Sequence, residues 1–81
     1  MGRDTIDKKL NEIHGYLLRK YGWIEADNAI YPLQWYIYTG RASVEFLHKL
    51  FEKKPYVIGR LLYTGGTVDE VIDRIKKHIG R

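Results

Sequence analysis

Cysteine is absent from this 81-residue chain, and serine and glutamine occur once each, as Ser43 and Gln34. Without cysteine there is no disulfide framework, no thiolate zinc site and no thiol nucleophile. No apolar run approaches the roughly 18 residues of a membrane span. The best candidate, Ala29 to Tyr38, is short and interrupted by Pro32 and Gln34. The N-terminal stretch Gly2-Arg3-Asp4-Thr5-Ile6-Asp7 lacks the apolar run of a secretory signal, and Ile6 stands where a myristoylation motif wants Ser or Thr. A soluble cytoplasmic protein without a membrane partner is the expectation. Catalytic signals are equally sparse. His14, His48 and His78 have no repeating ligand spacing, and Gly65-Gly66 lacks the lysine and the spacing of a phosphate loop. Ser43 reads as a helix cap, which occupies its hydroxyl. No enzyme, metal or cofactor is expected, and His14 and His48 read as residues at the edge of the core.

What is present argues for one folded domain over residues 1–81. The chain is 44% hydrophobic and 30% charged, too apolar for a disordered segment, with a net charge of only +4. Few thermolabile residues and many charges of both signs resemble the composition of thermophile proteins. Aromatics number eleven, and seven of them fall between Tyr16 and Tyr38. They are expected to fill the core with their polar ends at the surface. The alternative is a stacking platform for bases, which requires exposed rings beside Lys or Arg.

Periodicity predicts helices at 4–21, 31–39, 43–54, 55–64 and 67–79. In the first, Ile6, Leu10, Ile13, Leu17 and Tyr21 share one face, with Asp4 as N-cap and Gly22 as C-cap. Gly15 suggests a close approach by another element. In the third, Val44, Leu47 and Phe51 form a stripe widened by Phe46 and Leu50, and Pro55 ends the helix. In the fifth, Val68, Val71, Ile72, Ile75 and Ile79 follow the capping box Thr67-Val68-Asp69-Glu70. Residues 23–28 read as a connection, with Asp27-Asn28 as turn chemistry. Segment 23–38 stays open between helix and β-hairpin, because its β-branched and aromatic content favours a strand and Pro32 does not. An internal echo favours helix for residues 32–38. Tyr38-Thr39-Gly40-Arg41-Ala42-Ser43-Val44 parallels Tyr63-Thr64-Gly65-Gly66-Thr67-Val68, and apolar positions continue on both sides. The fold class is mainly α: a small helical domain whose tri-helical core, 43–79, packs on helix 4–21. A winged-helix-like α+β domain is the runner-up.

Residues 56–79 resemble the helix-turn-helix of DNA-binding domains. Gly66 falls at the turn glycine, Leu61 and Leu62 at packing positions of the first helix, and Ile72 and Ile75 at those of the second. Leu62 stands where that family usually carries Ala, and the second helix opens with Asp69, Glu70 and Asp73. The resemblance implies a DNA partner and a transcriptional role. The residues expected to meet DNA are Lys49, Lys53, Lys54, Arg60, Arg74 and Lys77, the first four being the densest basic stretch. The acids read as dipole-favoured residues paired at i,i+4, Glu70 with Arg74 and Asp73 with Lys77. Residues 61–72 are also similar to the last loop and helix of ubiquitin-associated three-helix domains, in which a Thr-Gly-Gly turn precedes a helix opening with Val. That resemblance implies a protein-interaction or self-associating module; the aromatic content of segment 31–38 makes it the expected contact surface in that reading.

Overall fold

The computed structural model describes residues 2–80. Five helices follow one another: α1 (Arg3–Tyr21), α2 (Trp23–Tyr38), α3 (Val44–Glu52), α4 (Pro55–Tyr63) and α5 (Val68–Ile79), and there is no strand among the described residues. The chain is mainly α, and the β-hairpin of a winged helix is absent from 23–38.

The first corner explains why that segment was ambiguous. Gly22 alone separates α1 from α2. It adopts φ 90°, donates its N–H to the Leu18 carbonyl at 3.1 Å, and accepts from the Ala26 N–H at 3.0 Å. One residue therefore closes one helix and opens the next, in a conformation that only glycine adopts at low cost. Residues 23–28, expected as a connection, are instead the first turns of α2. Their face is Ala26, Ile30, Leu33 and Ile37, all buried. Asp27 forms no turn. Its Oδ1 lies 2.8 Å from His14 Nε2, joining α2 to α1. Pro32 sits inside α2, so the Asn28 carbonyl loses its helical partner. That helix survives because Pro32 and its neighbour Leu33 are buried.

The two echoed turns are alike in backbone detail. Gly40 and Gly65 both take φ 77°, donating to the Ile37 and Leu62 carbonyls at 3.1 and 3.2 Å. Thr39 and Thr64 each fold a hydroxyl back onto a helical carbonyl at 2.7 Å, those of Trp35 and Leu61. Ser43 then caps α3 by accepting from Phe46 N–H at 3.0 Å, and Thr67 caps α5 by accepting from Glu70 N–H at 3.2 Å. The Glu70 carboxylate in turn accepts from the Thr67 N–H, completing the capping box. Glu70 is thus turned toward the cap, and neither Glu70–Arg74 nor Asp73–Lys77 closes as an ion pair. In α1 the N-cap is Gly2, without a side-chain bond, and Asp4 lies in the first turn.

Helix α2 touches α1, α4 and α5; α1 and α4 also pack together, and α3 leans on α5. The core is aliphatic. Leu17, Leu33, Leu50, Ile58, Leu62, Ile75 and Val71 are its most enclosed side chains, and Phe46 is the only buried aromatic among the described residues. The expectation that aromatics fill the interior is therefore corrected. Trp23, Tyr31, Tyr38, Tyr56 and Tyr63 are exposed, and Tyr16, Tyr21, Trp35, Tyr36 and Phe51 are half-buried. The stripe of α3 is also rotated: Phe46, Leu47 and Leu50 are buried, whereas Val44 is exposed. His14 is half-buried, as expected, but His48 is exposed. Gly15 meets only the Arg19 side chain of its own helix; the glycine against which another element packs is Gly59.

Candidate nucleic-acid interface

Helix α4 is short, and one flank is consumed by packing: Ile58, Gly59 and Leu62 are buried against the other helices. Its solvent face carries Tyr56, Arg60 and Tyr63, at the i, i+4, i+7 spacing that lines up one side of a helix. Gly59 lets α1 approach. A Cβ built there would fall 2.5 Å from Cδ1 of Tyr16, so the Tyr16 ring lies directly on the α4 backbone.

From that contact a run of rings extends along the α1–α4 seam. Tyr16 meets Tyr56 at 6.4 Å and Tyr21 edge-on at 6.3 Å. Tyr21 and Tyr63 stack in parallel, with centroids 3.6 Å apart and planes within 1°. The Arg60 guanidinium lies 5.2 Å from the Tyr56 centroid. The guanidinium beside Tyr16 holds that phenol below the ordinary tyrosine range, against the opposing effect of burial. Tyr21 is shifted the other way, first by burial and then by the neighbouring Tyr16 phenol. Arg60 thus lies against aromatic rings while remaining exposed.

Charge follows the same geometry. From Lys53 to Val68 the chain has no Asp or Glu. Lys53, Lys54 and Arg60 form no ion pair among the described residues. The opposite holds for α5, the reading helix of the helix-turn-helix resemblance. Its exposed residues begin with Asp69, Glu70 and Asp73.

The six expected contact residues therefore separate. Lys53, Lys54 and Arg60 lie at or along the α4 surface. Lys49 is 3.2 Å from Glu45 on its own helix and, with Lys76, borders a concavity floored by Phe46 and Ile79. Arg74 donates to the Leu61 and Gly65 carbonyls, both at 2.7 Å, and so fastens the C-terminal turn of α4 to α5. Lys77 lines a shallow hollow with Leu61, Arg74 and His78. Tyr16, Tyr21, Tyr56 and Tyr63 were not singled out as site residues in the sequence. The available signal was Tyr56-x3-Arg60-x2-Tyr63 on a helix without acids.

Elsewhere the aromatic segment 31–38 is largely engaged. Tyr38 donates its hydroxyl to Asp7 and lies 4.9 Å from the Arg3 guanidinium, while Arg41 covers Trp35 at 4.7 Å and Lys76 covers Tyr36 at 5.2 Å. Among the described residues no three His, Asp or Glu side chains gather as metal ligands, and no helix is long and apolar enough to cross a membrane. No protein-family model, curated protein or solved structure matches the chain.

Proposed function

We propose that this protein binds nucleic acid, with the solvent face of α4 and the Lys53-Lys54 pair before it as the contact surface. The observation that carries the reading is the coincidence on one acid-free helix of Tyr56, Arg60 and Tyr63, next to two lysines that form no ion pair among the described residues. Cations of this kind bind phosphate by releasing counterions. The exposed acids of α5 would repel a phosphate backbone, so the contact is assigned to α4 and not to the second helix of the helix-turn-helix pair. Arg74 serves the fold in this reading.

The test is fluorescence anisotropy with labelled DNA and RNA across a salt series. Affinity should fall as salt rises, and Lys53→Glu with Lys54→Glu should weaken binding far more than Lys8→Glu with Lys9→Glu on α1. Absence of binding at low salt, or equal losses in the two double variants, overturns the proposal. Circular dichroism confirms that each variant is folded.

A second reading, a protein-interaction or self-associating module, rests on one corner. Trp23 is 68% exposed, beside exposed Ile24 and Leu18. Light scattering at several concentrations tests it: self-association abolished by Trp23→Ser would support it, and a monomer throughout would leave that corner without a second copy.

A further inference from the structure

Resting on the nucleic-acid reading, we infer that the ligand of the α4 surface is an unpaired strand, with bases stacked on Tyr56 and Tyr63. These two rings are 44% and 43% exposed, and each is already held in place. Tyr63 is the outer member of a parallel two-ring stack on Tyr21, which a third planar ring would extend. Tyr56 is braced by the tilted Tyr16 ring and by the Arg60 guanidinium over its ring, so a base would stack on the face away from Arg60. A ring fixed before binding loses little conformational freedom on meeting a base. In a duplex the base faces are covered by their neighbours, and only edges and phosphates are on offer. Helix α4 offers a single side chain suited to edges, Arg60: Pro55 to Tyr63 contains no Asn, Gln, Ser, Thr, Lys, Asp or Glu. Exposed aromatic rings in a cationic setting are what an unpaired strand requires.

The dimensions agree. Seven residues at about 1.5 Å rise place Tyr56 and Tyr63 roughly 10 Å apart along the helix axis. At about 3.4 Å per stacked nucleotide that span takes roughly three nucleotides. Lys53 and Lys54 lie at the Tyr56 end, where they meet the phosphates entering the surface. Glu25 borders the groove beside Tyr63, which makes that end of the surface the less cationic one.

Anisotropy with a twelve-nucleotide oligothymidylate, the corresponding oligouridylate and a twelve-base-pair duplex, at low salt, tests the inference. Either single strand should bind about tenfold or more tightly than the duplex. Tyr56→Leu and Tyr63→Leu should each weaken single-strand binding about tenfold, by the usual cost of losing one base–aromatic stack. Tyr56→Phe and Tyr63→Phe, which keep the ring, should bind as the wild type does. Duplex binding equal to or tighter than single-strand binding overturns the inference and leaves nucleic-acid binding standing, as does loss of binding in the Phe variants equal to that in the Leu variants. Failure to bind any of the three probes removes the nucleic-acid reading itself, and the inference with it.

Discussion

Replacing Gly59 by alanine sets two effects of known size against each other. Gly59 lies inside α4 with an ordinary helical backbone, so alanine is favoured there by about 1 kcal/mol. The new methyl carbon, however, would sit 2.5 Å from Cδ1 and 2.9 Å from Cε1 of Tyr16. Carbon atoms rest at about 3.5–4.0 Å, so the overlap is about an ångström. The obstructing atoms belong to the body of a ring boxed in by Tyr21, Tyr56 and Arg60, not to the tip of a flexible chain. Overpacking of this kind costs about 1–3 kcal/mol. The net expectation for Gly59→Ala is a loss of about 1 kcal/mol. In a Tyr16→Ala background the obstruction is gone, and the same substitution should add about 1 kcal/mol. Equilibrium urea unfolding of the four proteins in this cycle reads both values, with a coupling of about 2 kcal/mol. If Gly59→Ala stabilises both backgrounds equally, Tyr16 does not rest on α4, and the ring array built on that contact is wrong.

Thr67→Ala removes the side-chain half of the α5 capping box, the hydroxyl that accepts from the Glu70 N–H, and should cost about 1 kcal/mol in thermal or urea unfolding; a loss near zero would show that α5 holds its N-terminus without that cap. Arg74→Met breaks two charge-assisted bonds to the carbonyls of Leu61 and Gly65 and should cost about 1–2 kcal/mol, whereas Lys77→Ala should stay within about 0.5 kcal/mol. Equal effects would return Arg74 to the set of free surface cations. Burial, and then the hydrogen bond to Asp7, raises the Tyr38 phenol above the ordinary tyrosine value. An acid raised in this way keeps its proton longer in the folded state. Its contribution is complete below a pH of about 10 and is lost as pH climbs through the folded-state value. The stability advantage of wild type over Tyr38→Phe should therefore shrink as pH rises above about 10, and an advantage that is constant or grows there would contradict the placement of Tyr38 against Asp7.

Much of the helical framework was legible in the sequence, because its determinants are local. The α5 periodicity, its capping box, the Ser43 cap and the two Tyr-Thr-Gly turns each depend on residues within about one turn of one another. The start of α2 was not legible. Alanine at 26 and 29 carries little hydrophobic signal, and Asp27-Asn28 has the composition of a turn. Both are overridden when Ala26 packs in the core and Asp27 finds His14 across the helix pair. The shift of the α3 stripe, which exposes Val44 and buries Phe46, has the same origin: the face that meets α5 is chosen by the neighbour.

The candidate site divides in the same way. Lys53, Lys54 and Arg60 could be named from the chain alone, since clustered charge without intervening acids is a property of order in the sequence. The sequence by itself determined the approximate bounds of α1, α3, α4 and α5, that no thiol chemistry takes place, and that one long stretch lacks acids. Only the tertiary structure decided that the tyrosines line a seam and do not fill the core, that Arg74 is spent on two carbonyls, and that four rings from α1 and α4 form one run with Arg60 at its Tyr56 end. Those outcomes depend on which helices touch and at what rotation, and that is settled by the packing of all five helices together.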